Sequence, residues 1–251
     1  MILERYHGLG NDFLVLLDLD GRQPVDGLMA RALCDRHRGV GADGLIRVTA
    51  GPTMELYNAD GGRAEMSGNG IRCLALALMD AGLETGPEII VDTDAGPRRV
   101  VVGADRRRIS VDMGQATAEP GPGHSLLVDM GNPHVVVEVQ DPYDCDLGRE
   151  ARRFTGLNLE LVAAGPGPEE LTMRVWERGV GETQSCGTGA CAAAVAAHKW
   201  AIVGDRVTVH QPGGALDVEL GKDQIVLTGP AAWICTIRIR DGHLRQGEVR
   251  P

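Results

Sequence analysis

Two stretches of this chain resemble each other and lie 119 residues apart. EMSGNGIRCLALALM runs from 65 to 79, and QSCGTGACAAAVAAH runs from 184 to 198. Ser67 and Cys186 occupy the same place in the two stretches, since 186 − 67 = 119. MELYNADG at 54–61 and MRVWERGV at 173–180 keep this offset, since 173 − 54 = 119. A period of this length is too long for a solenoid, so it predicts two similar domains that face each other.

Each half combines strand-like runs with one apolar helix. Runs such as FLVLLDL and HVVVEV are typical of strands. The apolar helices are predicted at 70–81 and 189–201, and because they lack a polar face they are expected to be buried inside a curled sheet. An amphipathic helix is predicted at 27–38, and a Gly- and Pro-rich linker at 114–125.

Composition excludes several classes of function. The net charge is −10 and aromatic residues make up 3% of the chain, which argues against a nucleic-acid partner. The apolar runs are too short for a membrane span. Six cysteines without paired spacing indicate reduced thiols, as in a cytoplasmic protein. The only lysines, Lys199 and Lys222, end a helix and lie in a turn, so a Schiff base with pyridoxal phosphate is not expected.

A Gly-x-Gly pattern opens each apolar helix, at Gly68-Asn69-Gly70 and at Gly187-Thr188-Gly189. The first N–H groups of a helix have no internal partner and lie at the positive end of its dipole. Small residues let an anion approach these groups, so the two helix starts together predict a carboxylate site. The alternative is that the glycines only permit close helix–sheet packing.

Cys186 stands directly before the second of these helices. The positive end of a helix lowers a thiol pKa, so a reactive thiolate is predicted there. The alternatives are an inert buried cysteine or a metal ligand together with Cys191. Five residues apart on a helix, the two thiols face different ways, so no metal site is expected.

Seven blocks of the sequence resemble the diaminopimelate epimerase family, nearly from end to end. They are HGLGNDF (7–13), DRHRGVGADGL (35–45), YNADG (57–61), SGNGIRC (67–73), MGNPH (130–134), WERGVGET (176–183) and SCGTGACA (185–192). The resemblance implies an isomerase that interconverts LL- and meso-2,6-diaminopimelate without a cofactor, in lysine and cell-wall precursor synthesis. One thiolate would remove the α-proton and a second thiol would reprotonate the opposite face.

Repeat and resemblance together predict an α+β fold of two pseudo-symmetric domains. Each would be a curled, mostly antiparallel sheet around a central buried helix, with the active site in the cleft between the domains. The N-terminal half is expected to span 1–116, joined by a C-terminal strand at about 240–251, and the C-terminal half 117–239. A cytoplasmic homodimer is also implied.

The resemblance assigns roles to individual residues of this chain. The proton-transfer residues would be Cys186, Ser67, His134 and Glu177. The groups that bind the substrate carboxylates and ammonium groups would be Asn11, Asn58, Gly68, Asn69, Asn132, Asn158, Glu177, Arg178, Gly187 and Thr188. Arg178 suits a bidentate grip on the distal carboxylate. Five of these residues have a simpler alternative role. Asn58 and Asn132 could shape turns, Glu177 and Arg178 could form a surface pair, and His134 could be structural.

Ser67 departs from the family pattern, which has cysteine at this position. An alcohol is far less acidic than a thiol of pKa about 8.5, so Ser67 cannot rest as an alkoxide base. Three explanations stay open. The natural enzyme uses serine with His134 or a water as relay, the cysteine was replaced by design to trap substrate, or the chain is a paralogue with another substrate or a one-sided reaction.

Two other functions compete with the first. Ser67 also fits a racemase or epimerase of another amino acid, such as histidine or hydroxyproline, for which the arginine at 178 would not be needed. A non-catalytic amino-acid-binding protein that has lost one base is the third hypothesis.

Overall fold

The computed structural model describes residues 1–240 and 243–246. The strands, in chain order, are β1 Ile2–Gly8, β2 Asn11–Leu17, β3 Gly44–Thr49, β4 Thr53–Asn58, β5 Arg63–Ala64, β6 Glu88–Thr93, β7 Gly96–Val102, β8 Ile109–Asp112, β9 Thr117–Pro120, β10 Ser125–Asp129, β11 Pro133–Glu138, β12 Asn158–Ala164, β13 Glu170–Glu177, β14 Gly181–Thr183, β15 Arg206–Gln211, β16 Gly214–Leu220, β17 Ile225–Gly229, β18 Ala232–Arg240 and β19 His243–Gln246. The helices are α1 Gly27–Cys34, α2 Gly68–Asp80, α3 Leu147–Ala151 and α4 Gly187–Lys199, with a 3-10 turn at Pro142–Asp144.

The chain divides into two compact units. The first unit is Met1–Val111 with Pro230–Pro251, and the second unit is Asp112–Gly229. The sequence-based boundaries at 116/117 and 239/240 stay a prediction. Residues 241–242 and 247–251 of the predicted C-terminal strand lie outside the described residues.

In the first unit, one sheet surrounds α2. β18 pairs with β1, and the pairing continues through β2, β3, β4, β6 and β7 to β8. The β2/β3 and β4/β6 pairs are parallel and the other pairs are antiparallel. Since α2 contacts β18, β1, β2, β3 and β7, which lie at distant places in this order, the sheet must curl around the helix.

The second unit repeats this arrangement around α4. β9 pairs with β10, and the pairing continues through β11, β12, β13, β15 and β16 to β17. The β11/β12 and β13/β15 pairs are again the parallel ones. α4 contacts strands from β10 to β17, so this sheet also curls around its helix. The expectation of two similar α+β halves with mostly antiparallel sheets is confirmed.

The two central helices are buried because nearly all of their side chains are apolar or small. In α2 every residue from Gly68 to Leu78 is buried, and α4 is buried from Gly187 to Ala194. The alanines of α4 leave room for the strands to approach closely on all sides. Both helices begin two residues earlier than predicted, because Ser67 and Cys186 act as N-caps.

Two local predictions differ from the structure. The segment predicted as a linker contains β9, which pairs with β10 as an edge strand, a position that tolerates its terminal Pro120. The helix predicted at 27–38 ends at Cys34, because Asp35 leaves the helical conformation and its carboxylate accepts hydrogen bonds from the N–H groups of His37 and Arg38. Within the part of the chain that the structure describes, no helix is long and apolar enough to cross a lipid bilayer.

The register of the strands defines which positions of the two units correspond. In the first unit, β2 and β3 pair Phe13 with Gly44, and in the second unit β11 and β12 pair His134 with Asn158. Two residues further along, Ile46 of β3 pairs with Leu56, and Glu160 of β12 pairs with Val175. Ile46 and Glu160 therefore hold equivalent places beside the central helices.

Candidate active site

The start of α2 is capped by the side chain of Ser67. Ser67 has an extended backbone with φ −139° and ψ 124°, and its Oγ accepts a hydrogen bond of 3.1 Å from the N–H of Gly70. Gly68, Asn69 and Gly70 are buried. The side chain of Ser67 is half-buried, so a hydroxyl group stands at the positive end of a buried helix.

A polar network fixes the first turn of α2. Asn69 donates from Nδ2 to Asn11 Oδ1 at 3.1 Å, and Asn11 donates to Asp43 Oδ2 at 2.8 Å. The fully buried Arg72 donates to Asn69 Oδ1 at 2.7 Å and to the carbonyl of Gly68 at 2.8 Å. The predicted residues Asn11 and Asn69 thus lie together.

Asn58 lies at the end of β4, and its backbone closes a turn. Its N–H donates to Gly62 O at 2.8 Å, and its carbonyl accepts from Gly61 N at 2.9 Å. Gly61 has φ 86° in this turn, a conformation that glycine adopts without strain. These contacts agree with the turn-shaping alternative and leave the half-buried side chain of Asn58 as a candidate ligand-binding group.

The start of α4 has the same geometry with sulfur in place of oxygen. Cys186 has φ −128° and ψ 122°, and its Sγ accepts from the N–H of Gly189 at 3.3 Å. Thr188 Oγ1 lies 3.4 Å from the same sulfur. The N–H of Cys186 donates to Gln211 Oε1 at 2.8 Å, which ties this cap to β15. Gly187 and Thr188, predicted to bind a carboxylate, are buried in the first turn.

The pKa of Cys186 differs from the sequence-based prediction. Burial raises it well above the ordinary value for a thiol, and the carboxylates of Glu177 and Glu160 raise it further. The hydrogen bonds from Thr188 and Gly189 act in the opposite direction but do not outweigh burial. The prediction that the helix start lowers the pKa of this thiol is therefore wrong, because a charged sulfur would lose its hydration beside two acidic groups.

Glu177 is directed toward the sulfur and does not form a surface pair with Arg178. Its Oε1 accepts from Thr183 Oγ1 at 2.5 Å, and it also hydrogen bonds with Cys186. Burial raises the pKa of Glu177, and the neighbouring Glu160 adds to this effect. The raised pKa of Glu177 makes its carboxylate a stronger proton acceptor than an ordinary one, and it lies within hydrogen-bond reach of the thiol.

His134 belongs to a chain of hydrogen bonds that reaches the sulfur. Its Nδ1 lies 2.7 Å from Glu160 Oε1 and its Nε2 lies 3.0 Å from Asn132 Oδ1. Asn132 donates to Thr188 Oγ1 at 3.4 Å, and that oxygen contacts Cys186. Four predicted residues of the second unit, His134, Asn132, Thr188 and Cys186, are thus connected.

The side chain of Asn158 binds the backbone of Arg178. Asn158 donates to the carbonyl of Pro133 at 3.0 Å and accepts from the N–H of Arg178 at 2.9 Å. The side chain of Arg178 is exposed, and its Nη1 lies 3.5 Å from Gly156 O. In this structure Asn158 holds the loop that carries the guanidinium.

Sequence reasoning missed Glu160 and Gln211. Both are buried, with Glu160 0% and Gln211 5% exposed. Glu160 is the only charged residue in the apolar strand NLELVAA, and such an isolated buried charge was the signal that could have found it. Among the side chains that the structure describes, no group of three or more His, Cys, Asp or Glu could hold a metal ion.

Comparisons with known proteins show the family of this chain. The sequence model described as "Diaminopimelate epimerase" matches residues 5–119 and 126–234. A diaminopimelate epimerase of Desulfitobacterium hafniense is 38% identical, with 93% of this chain and 96% of that protein covered. One of Mycobacterium bovis is 40% identical, with 93% and 95% covered.

Solved structures with low sequence identity share the fold. A predicted epimerase of Pseudomonas aeruginosa superposes with a TM-score of 0.74 at 14% identity, covering 95% of this chain and 98% of that one. A hydroxyproline epimerase of Agrobacterium vitis gives 0.70 at 16% identity, covering 94% and 91%. The family follows from the sequence relatives, which are 38% and 40% identical over 93% of the chain. The chain belongs to the diaminopimelate epimerase family.

Proposed function

We propose that this isomerase interconverts LL-2,6-diaminopimelate and meso-2,6-diaminopimelate by removing and returning an α-proton, without a cofactor. The observation that carries the proposal is the thiol of Cys186 at the start of a buried helix, hydrogen bonded to Glu177. A thiolate is a suitable base for a carbon acid, and the carboxylate form of Glu177 can accept the thiol proton, which leaves a thiolate and a neutral carboxyl group.

The starts of α2 and α4 suit a substrate carboxylate. Negative charge spreads onto the carboxylate as the α-proton leaves, and N–H groups of Gly68, Asn69, Gly187 and Thr188 would donate to it where that charge develops. These first turns are buried, so little water competes for the donors. This arrangement lowers the barrier to proton removal more than it stabilises the ground state.

Cys186 would act on one face of the α-carbon and Ser67 on the other. Ser67 can donate or relay a proton but cannot serve as a resting base. We therefore propose unequal chemistry on the two faces, with His134 or a water completing the relay on the serine side. The remaining polar groups, Asn11, Asn58, Asn132, Asn158 and Arg178, would bind the ammonium groups and the distal carboxylate.

The setting proposed for this reaction is a cytoplasmic homodimer with a small-molecule substrate and no nucleic-acid or membrane partner. The net charge of −10 supports the absence of a nucleic-acid partner. Both lysines are exposed at the end of α4 and in the turn after β16, which supports chemistry independent of pyridoxal phosphate.

Deuterium exchange tests this function directly. Incubation with LL-diaminopimelate in deuterated water is expected to place deuterium at one α-carbon and to produce the meso isomer, as followed by NMR. LL- and meso-diaminopimelate are assayed separately, beside a panel of amino acids that includes histidine and hydroxyproline. Faster α-proton exchange with one of these amino acids would show that it, and not diaminopimelate, is the substrate. Tight binding without any exchange, unchanged in Ser67→Cys, would indicate a binding protein.

The raised pKa of Cys186 predicts the pH dependence of the reaction. The active form of the sulfur is deprotonated, so raising its pKa moves the increase of activity to higher pH. We expect kcat/KM for exchange on the Cys186 face to keep rising above about pH 8.5, the ordinary thiol value, since kcat/KM reports the free enzyme. A rate profile from pH 6 to 10 checks this, and a plateau below about pH 8 would contradict it.

A further inference from the structure

We propose that Glu160 is a positioning residue for the proton-transfer step, and that it acts by fixing the orientation and protonation of His134. The inference rests on the proposed function. Glu160 is a buried residue of β12 and was not among the predicted site residues. Its partner is the imidazole of His134, with a distance of 2.7 Å between Oε1 and Nδ1.

Both groups are fully buried, with 0% exposure of each side chain. Oε2 of Glu160 is buried as well and has no hydrogen-bond partner among the described residues. A buried carboxylate with an unsatisfied oxygen is costly for folding. Because Glu160 lowers the stability of the fold, its presence at this position calls for a role other than stabilisation.

The first unit shows that the fold does not require an acid at this position. The equivalent residue on β3 is Ile46, which packs beside Gly70 of α2 as Glu160 lies beside Gly189 of α4. An added Cβ at residue 70 would meet Ile46 Cδ1 at 3.2 Å, and one at residue 189 would meet Glu160 Oε1 at 2.7 Å. The same architecture thus accepts an apolar side chain, while in the second unit Gly189 leaves room for a carboxylate.

The hydrogen bonds of His134 determine how many protons the pair carries. Asn132 uses Nδ2 to donate to Thr188 Oγ1, so its Oδ1 faces the imidazole as an acceptor. Nε2 of His134 must therefore carry a proton to make the 3.0 Å contact with that oxygen. The 2.7 Å contact between Nδ1 and Oε1 requires a second proton between them. In this arrangement the His134–Glu160 pair holds two protons, one on Nε2 and one in the contact between Nδ1 and Oε1.

This arrangement gives Glu160 a defined effect on the reaction. With Nδ1 held by Glu160, the ring presents Nε2–H to Asn132 Oδ1, which orients the hydrogen bonds of Asn132 and Thr188 beside the sulfur of Cys186. The proton on Nε2 is then the one that the ring can give. The other titratable groups around this chain are Glu177 on β13 and Cys186 at the start of α4. Removing the charge of Glu160 while keeping its shape would take away one of the two protons and leave the binding groups in place.

The test compares Glu160→Gln with the matched surface variant Glu170→Gln. Glu170 also pairs with a histidine, His210, at 2.8 Å, but both of these side chains are more than a third exposed, Glu170 at 34% and His210 at 39%. Glu160→Gln is expected to lower kcat for α-proton exchange about 10²-fold with little change in KM, whereas Glu170→Gln stays near the wild-type rate. Nitrogen-15 NMR of the histidine rings, with His134 assigned from a His134→Gln spectrum, is expected to show both ring nitrogens protonated in the wild type and one in Glu160→Gln.

The outcomes separate this inference from the proposed function. A wild-type His134 with one unprotonated ring nitrogen would overturn the inference even if the enzyme is active, and so would unchanged kcat in Glu160→Gln. If the wild type exchanges no α-proton, the proposed function fails, while the NMR spectra still decide the protonation of His134. Glu160→Ile, which copies the first unit, covers the case in which the glutamine variant does not fold, and the same loss in kcat is expected.

Discussion

Replacing Cys186 by alanine is expected to lower α-proton exchange on its face of the substrate by about 10³-fold, because its thiol is the proposed base at the start of α4. Alanine removes the base and the acceptor for the N–H of Gly189 but keeps the backbone of the N-cap. Deuterium incorporation measured separately from LL- and meso-diaminopimelate reports each face. The isomer whose α-proton points to Cys186 should lose its label, whereas any exchange supported by Ser67 should persist.

Cys191→Ala is the matched control for this experiment. Cys191 lies within α4 and is buried like Cys186, so its replacement removes a buried sulfur from the second unit and leaves the N-cap unchanged. Exchange in Cys191→Ala is expected to stay close to the wild-type rate, and the thermal stability of the two variants should fall to a similar extent. Equal rates in Cys186→Ala and wild type would remove Cys186 from the mechanism.

Replacing Ser67 by cysteine is expected to raise the rate of epimerisation by about 10²-fold or more, because a thiol of pKa about 8.5 can supply a base that an alcohol cannot. The second unit shows that a thiol fits such a cap. The backbone angles of Ser67 and Cys186 agree within 11° in φ (−139° and −128°) and 2° in ψ (124° and 122°), and each side chain accepts from the third residue of its helix. Sulfur is only slightly larger than oxygen, and the side chain of Ser67 is only half-buried, so a cysteine fits at this position.

Ser67→Ala completes the comparison. If the hydroxyl relays a proton, alanine should be slower than the wild type, and cysteine faster, in the conversion of the LL to the meso isomer. If alanine and serine give equal rates while cysteine is faster, Ser67 contributes nothing to proton transfer. Slower turnover by Ser67→Cys than by the wild type would show that serine belongs to a different mechanism, and the epimerase proposal would have to change.

The local patterns of the chain were sufficient for much of the fold. Apolar runs predicted the strands, and helices without a polar face predicted the two buried elements that became α2 and α4. The offset of 119 residues placed Ser67 and Cys186 at equivalent positions, and both are N-caps. Errors occurred where a single residue decides the outcome, as at Asp35, which ends α1, or where pairing with a distant strand converts a Gly- and Pro-rich segment into β9.

The sequence by itself determined that a hydroxyl and a thiol would stand at the starts of two buried helices, because residue order and apolar periodicity are properties of neighbouring residues. Only the tertiary structure decided the charge environment of these caps. Glu160 and Glu177 come from β12 and β13, and they raise the pKa of Cys186 beyond what burial alone does, against the local effect of its helix. Burial and charge act through space between strands that pair after folding, so no pattern along the chain gives their balance.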